Sequence, residues 1–363
     1  MSNVQTISNL IASRNTLSEA YDLRKCRDVD QFRSIGDQID ILDAKIAKLK
    51  MSNAAPTFTR ADCQDFADRI LKARSWRKRL KIVDDTIAKL PESNSPKTWQ
   101  GYLKRFRNWI AAVSENRNSL AYVPFSIFAE TGNVKLPFVS FSTLPGFSCP
   151  GAGDCLKFCY SYRAWRYPAG FLRQLQNTIL LQTAGGRKII ADTFRNLQAS
   201  WNGTEYRLTV RLYVDGDFDS VSTFVFWMKL LQERSYDCDA YGYSKSWLEI
   251  LQGLAHLEFV PSNYVLNVSS GSLHADGLKS KILALPFTRH VFEAVEIDGK
   301  GIKKGFARYD QKDYHKRTRE AYQAETGIVP FSCPGDCGSC RASAGIAACA
   351  DLQFKLPIVN GVH

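Results

Sequence analysis

Apolar residues return every three or four positions through much of the first 120 residues, and after Asn118 they gather into short β-branched and aromatic runs. In the first region Ile35, Ile39, Leu42, Ile46 and Leu49 form a narrow stripe of about two heptads, the pattern of a helix packed on another helix and too short for a coiled coil. Thr59 followed by Asp62 has the form of a helix start. The segment from there to about Leu90 carries Phe66, Ile70, Leu80 and Val83 with charges between them, until Pro91 and a polar loop stop it. A further helix is expected from Trp99 to about Val113. Beyond it, strands are predicted at residues 122–128, 137–142, 207–214, 239–243, 264–269 and 288–295, with helices at about 169–199, 220–233, 246–255 and 275–283. Strand and helix in alternation predict an α/β fold, an incomplete barrel-like and mostly parallel sheet with a helical N-terminal region. The expected division is a basic helical region over 1–120, the α/β core over 121–300, and a cysteine-rich tail over 301–363 that closes on the core.

At 363 residues with 45% hydrophobic and 23% charged positions, the chain has the composition of a soluble globular protein, which excludes a wholly disordered or fibrous one. No run approaches the about 18 apolar residues of a membrane span, and MSNVQTISNLIASRN lacks a secretory layout, so no membrane partner and a cytoplasmic location are expected. The net charge of +12 is uneven: the first 120 residues hold 22 Lys and Arg against 14 Asp and Glu. Within residues 69–81 there are seven cations and no acid, among them Arg74, Arg77, Lys78, Arg79 and Lys81 around Trp76. With Lys104, Arg105 and Arg107 these nine residues form the expected nucleic-acid surface, for DNA before RNA, the plain alternative being a solvated face. A second basic and aromatic patch runs from Tyr160 to Tyr167. A host or element-encoded protein is the other partner class considered.

Ten cysteines in a chain of this size suggest metal or chemistry rather than a disulfide framework. Cys26, Cys63 and Cys238 stand alone and read as buried apolar residues. Six others fall into Cys149-x5-Cys155-x3-Cys159 and Cys333-x3-Cys337-x2-Cys340, with Cys349 further along, and Phe-Ser-Cys-Pro-Gly opens both groups, at 147–151 and 331–335. Thiolates converging from Gly- and Pro-rich loops suit an iron–sulfur cluster, 4Fe–4S foremost, with zinc as the alternative, since only Cys337 and Cys340 make a C-x2-C pair. The C-x3-C-x2-C order is also that of radical S-adenosylmethionine barrels, which makes S-adenosylmethionine a candidate cofactor, although that family sets the motif near the start of its barrel.

Polar residues end three consecutive strands. Arg211, Tyr213 and Asp215 alternate and are expected on one face, with Gly216 and Asp217 just beyond; Asp217 and Asp219 are alternatively turn and helix-cap residues. Tyr243, Lys245 and Trp247 follow the next strand, and Asn267 with Ser269 the third. Arg211, Asp215, Asp217 and Lys245 are the candidate catalytic groups; Tyr213, Gly216, Tyr243, Trp247 and Asn267 are candidate cofactor contacts. There is no P-loop, dinucleotide fingerprint, H-E-x-x-H or G-x-S-x-G, and the five histidines are scattered, which disfavours the common hydrolases.

The succession FSCPGAGDCLKFCYSYRAWRYP, VRLYVDGDFDS, GYSKSW and CPGDCGSC, over about residues 136–342, resembles the phage and plasmid proteins grouped as gene product eighty-eight. The resemblance implies a mobile-element origin, a barrel-like α/β core, and a shared site for Cys149, Cys155, Cys159, Cys333, Cys337 and Cys340. Gly216, Asp217, Phe218, Lys245 and Trp247 are the matched motif positions. No settled activity comes with it, so a radical-type nucleic-acid-modifying enzyme and a non-catalytic binding protein both remain open.

Overall fold

A computed structural model describes residues 9–16, 38, 42, 58–93, 95–130, 138–201, 206–298, 312–335, 340 and 347–362. The stripe residues Ile35, Ile39, Ile46 and Leu49, together with Cys26 and Cys337, lie outside them. Two compact units divide the chain, Met1–Phe58 with Lys89–Glu92, and Thr59–Ala88 with Ser93–His363. In the first, residues 9–16 are helical.

The second unit opens with three helices, α1 (Arg60–Lys72), α2 (Trp76–Ile87) and α3 (Trp99–Glu115). Thr59 and Asp62 form the expected reciprocal cap on α1. The single helix predicted to Leu90 is two, because Ser75 caps a new start by accepting from Lys78 N–H while Arg79 Nε joins Ala73 N–H in donating to the Ile70 carbonyl. Phe66, Trp76, Phe106 and Trp109 form their common aromatic core.

The sheet has β1 (Phe128–Ala129), β2 (Val139–Phe141), β3 (Ser200–Trp201), β4 (Tyr206–Leu212), β5 (Cys238–Ser244), β6 (Tyr264–Ser269), β7 (Thr288–Glu296), β8 (Phe331–Ser332) and β9 (Ile358–Val362). Its order is β1-β2-β4-β5-β6-β7-β9-β8, with β3 paired on β4. All neighbours from β2 to β8 are parallel; β1 and β3 are antiparallel additions, and the sheet is open. The crossovers carry α4 (Cys155–Phe158), α5 (Pro168–Leu181), α6 (Ala184–Arg195), α7 (Val221–Glu233), α8 (Trp247–Leu254), α9 (Asp276–Leu283) and α10 (Lys312–Thr326). This is the predicted mixed α/β architecture. One face of the sheet packs under helices, where Phe128, Phe141 and Phe194 surround Trp227. The other carries Tyr241, Val265 and Ile358 under Ala348 and Cys349. β6 is buried along its whole length, as a central parallel strand should be.

Three further segments differ from the prediction. Residues 122–128 yield strand only at Phe128, since the segment needs no ladder: Gln176 bonds both Phe125 N–H and C=O, and Asn177 donates to Ile127 C=O. The long helix over 169–199 is broken at Thr183, whose hydroxyl caps Gly186 N–H. Helix α10 and strands β8 and β9 arise where a cysteine-rich tail was expected; Tyr314 anchors that helix by donating to Asn360 and Gly361 on β9.

Candidate functional site

Parallel strands deliver their following loops to one edge of a sheet, and here four of those loops meet. The loop after β2 carries Cys149, Cys155 and Cys159; that after β4 carries Asp215 and Asp217; that after β5, Lys245; and that after β6, residues 270–274. The cysteine loop is pinned to the last of these. Gly153 N–H donates to Gly271 C=O and Leu273 N–H to Gly151 C=O, each at 3.0 Å, a short antiparallel bridge between Ala152 and Ser272. Glycine is needed for the approach: a Cβ on Gly151 would lie 1.7 Å from Lys245 O, and Gly271, at φ +72, faces the Cys155 Cβ.

Asp217 is 3% exposed and accepts three hydrogen bonds, from Phe218 N–H, Ser244 Oγ and Lys245 N–H, at 2.7–2.8 Å. It ties the β4 loop to the end of β5, and Lys245 Nζ reaches on to Ser269 Oγ at 2.7 Å, joining β6. Burial pushes the Asp217 carboxyl up, and the three donors with the Lys245 charge oppose it. Burial likewise raises the Cys149 and Cys155 thiols; Lys245 counters it at both, and Asp217 and Cys159 add to it. The arrangement is therefore a group of thiols facing one lysine and one buried carboxylate. Gly216, at φ +84, sits where a Cβ would meet Thr143 Oγ1, which bonds Ser148 Oγ at 2.7 Å in the first Phe-Ser-Cys-Pro-Gly segment.

Asp215 lies beside this group, accepting from Gln174 Nε2 at 2.9 Å. Burial raises its carboxyl, and Ser161, Arg211, Ser142 and Gln174 pull it back. Arg211 lies over the Tyr243 ring, 4.7 Å from its centroid, on the face opposite the helices. Tyr213 does not share that face. Its φ of +56 breaks the alternation after β4, and the side chain turns into the helix-side core among Phe141, Phe218 and Trp227, whose indole N–H donates to the Tyr213 hydroxyl. Trp247 is also buried, its N–H donating to Ser244 C=O. Ser220 caps α7, while Asp219 accepts from the Ser220 hydroxyl, so neither aspartate considered as the cap fills that place.

The second cysteine group occupies the opposite face. Cys333, Cys340 and Cys349 pack in one apolar cluster with Tyr241, Tyr243, Val265 and Phe292. Gly335 N–H points at Cys333 Sγ and Ala348 N–H at Cys340 Sγ, 3.4 and 3.3 Å away. Burial pushes the Cys349 thiol up to about 12. Asn267 is fully engaged there: its amide donates to Gly242 C=O and Cys349 C=O and accepts from Arg289 Nε. Arg289 also donates to Phe354, Leu356 and Val291 carbonyls, clamping the tail to the sheet. Neither Arg289 nor Cys349 is marked out by the sequence: β7 also carries His290, Glu293 and Glu296, so its one buried arginine has no local signal. Among the described residues no three His, Cys, Asp or Glu side chains converge as an ion site.

The N-terminal basic residues divide. Arg74, Arg77, Lys78 and Lys104 are exposed. Lys81 pairs with Asp85, Arg107 with Asp84, and Arg105 donates to Pro124 C=O. Trp76 is 6% exposed and packed edge-on against Trp109 with Arg79 over its ring, so it is a core residue and not a base-stacking one.

Fold and site together define an open, mostly parallel α/β protein with two cysteine-bearing segments at its sheet, one at the carboxyl edge and one on the face away from the helices. The Gene product 88 family model matches residues 104–347, and the chain belongs to that family. No curated protein and no solved structure matches it. Among the described residues no helix is long and apolar enough to cross a membrane.

Proposed function

We propose that this phage-type protein holds a thiolate-ligated cluster, 4Fe–4S with zinc as the alternative metal, and that it binds nucleic acid, DNA before RNA. The observation that carries the metal half is the sulfur environment: backbone N–H groups aimed at Cys333 and Cys340. Donors and positive charge around sulfur stabilise thiolates and tune clusters. Soft sulfur donors fit iron–sulfur or zinc. A cluster, when bound, supplies single electrons; S-adenosylmethionine is the cofactor to test with it. Lys245 and Ser269 then hold an anionic ligand at the strand ends, and Asp217, bonded to the Lys245 N–H, fixes the loop that presents the lysine. The nucleic-acid half is supported by the exposed Arg74, Arg77, Lys78 and Lys104.

Metal and acid-labile sulfide analysis of anaerobically purified protein tests the first half. Iron with sulfide, lost in Cys155→Ala, is the expected result; full metal content in that variant refutes a site built on the first loop. A structural zinc clasp is the second reading, favoured by the apolar packing of Cys333, Cys340 and Cys349. Zinc without sulfide, insensitive to Cys155→Ala, is its signature.

A further inference from the structure

A cavity of about 790 Å³ lies between α10 and the segment that begins with β8. One wall is helical: Lys312, Lys316 and Arg319 recur at intervals of four and three, so they line one face, spread over about 10 Å by the helical rise. The other wall is Phe331, Ser332 and Pro334, with Cys340 at its border. His315 Nδ1 and Ser332 Oγ, 2.8 Å apart, join the two walls. Asp313 is the carboxylate in the lining. Among the described residues Lys312 and Arg319 have no ion pair, and Lys316 has one long contact to Glu320 at 3.8 Å, with both side chains exposed. On α2 and α3, by comparison, Arg79, Lys81, Arg105 and Arg107 are engaged, while Arg77, Lys78 and Lys104 stay exposed, so the groove adds a second cationic surface to the first. The sequence from 300 to 319 holds eight Lys and Arg against two Asp.

We propose that this groove binds the phosphate backbone of single-stranded nucleic acid. The proposal rests on the nucleic-acid reading above and names a second surface for it, next to the Cys333–Cys340 segment. Three cations in line suit successive phosphates, and an aromatic ring on the facing wall offers a base a stacking partner. The aromatic wall favours a single strand, because a base inside a duplex is already stacked on its neighbours and cannot turn to Phe331.

The test is fluorescence anisotropy of a labelled oligo-dT with the full chain, titrated from low to moderate salt. Replacing all three cations (K312Q, K316Q and R319Q together) should weaken binding at least tenfold and lower the slope of log K against log salt by about two, the loss of three phosphate contacts on a single strand. If R77Q with K78Q abolishes binding while the groove variant retains it, the groove proposal falls and the nucleic-acid reading stands. If the wild-type chain binds no oligonucleotide, both fall. Displacement by poly-glutamate as effective as by unlabelled oligo-dT also overturns the proposal, in favour of an acidic protein. Photocrosslinking of a bromouracil oligonucleotide to the unmodified protein gives a readout independent of variant folding: an adduct in the Phe331 peptide is expected, and adducts confined to other segments contradict it.

Discussion

Gly151→Ala isolates the contact that seats the first cysteine loop. The new Cβ would stand 1.7 Å from Lys245 O, whereas a carbon and a carbonyl oxygen rest at about 3.3 Å or more, so the loop must retreat by roughly 1.6 Å. The obstacle is backbone on both sides, and no rotamer relieves it. Such a displacement breaks the two 3.0 Å bonds of the bridge to residues 271–273, each worth about 1 kcal/mol net and more if its partners stay dry. A destabilisation of about 2 to 3 kcal/mol is expected in urea denaturation, together with faster labelling of Cys149 and Cys155 by a thiol reagent. Gly277→Ala is the control: nothing lies within 4 Å of its Cβ, so this α9 substitution should stabilise by about 0.5–1 kcal/mol. A Gly151→Ala protein within about 0.5 kcal/mol of wild type, with unchanged labelling, would refute the seating of this loop on Lys245.

Asp217 has its native pKa raised by burial, so the protonated form is favoured in the fold; its contribution is present at pH below the unfolded carboxylate value and is lost as pH rises through the raised native value. Asp217→Asn should flatten that part of the stability-versus-pH curve in urea titrations, while leaving the Lys245 N–H facing an amide at a cost of about 1–3 kcal/mol; a profile identical to wild type argues against the buried carboxylate. Arg289→Ala strips donors from Asn267, Phe354, Leu356 and Val291 and should cost about 3–5 kcal/mol, with new protease cleavage near residues 350–357; resistance there would show that the tail is held by other contacts.

The repeating unit of strand then helix was legible from residue 207 to 296, because a buried parallel strand and the helix that covers it each leave their own period in the chain. The segment at 122–128 was not, since side chains of α5 satisfy its backbone in place of a neighbouring strand, and no local pattern records that substitution. Asp217 and Lys245 were found because polar residues interrupt apolar strands at their carboxyl ends. Tyr213 misled for a local reason: one left-handed residue reverses the face, and a tyrosine is not the residue type that advertises it. Trp76 misled in another way, as basic neighbours conceal an inward-facing ring. Arg289 and Cys349 acquire their places only when residues far apart in the chain come together.

The position of β9 sets an order of events during folding. It lies between β7 and β8, so Phe331–Ser332 has no neighbouring strand until residues 358–362 have docked. Cys333 itself is held through its N–H to Val359 C=O. The first cysteine loop depends on strands made earlier, while the second waits on a distant later one, and such non-local pairings form slowly. Any cluster loaded by the second segment is therefore loaded late, onto a sheet whose other edge is already built.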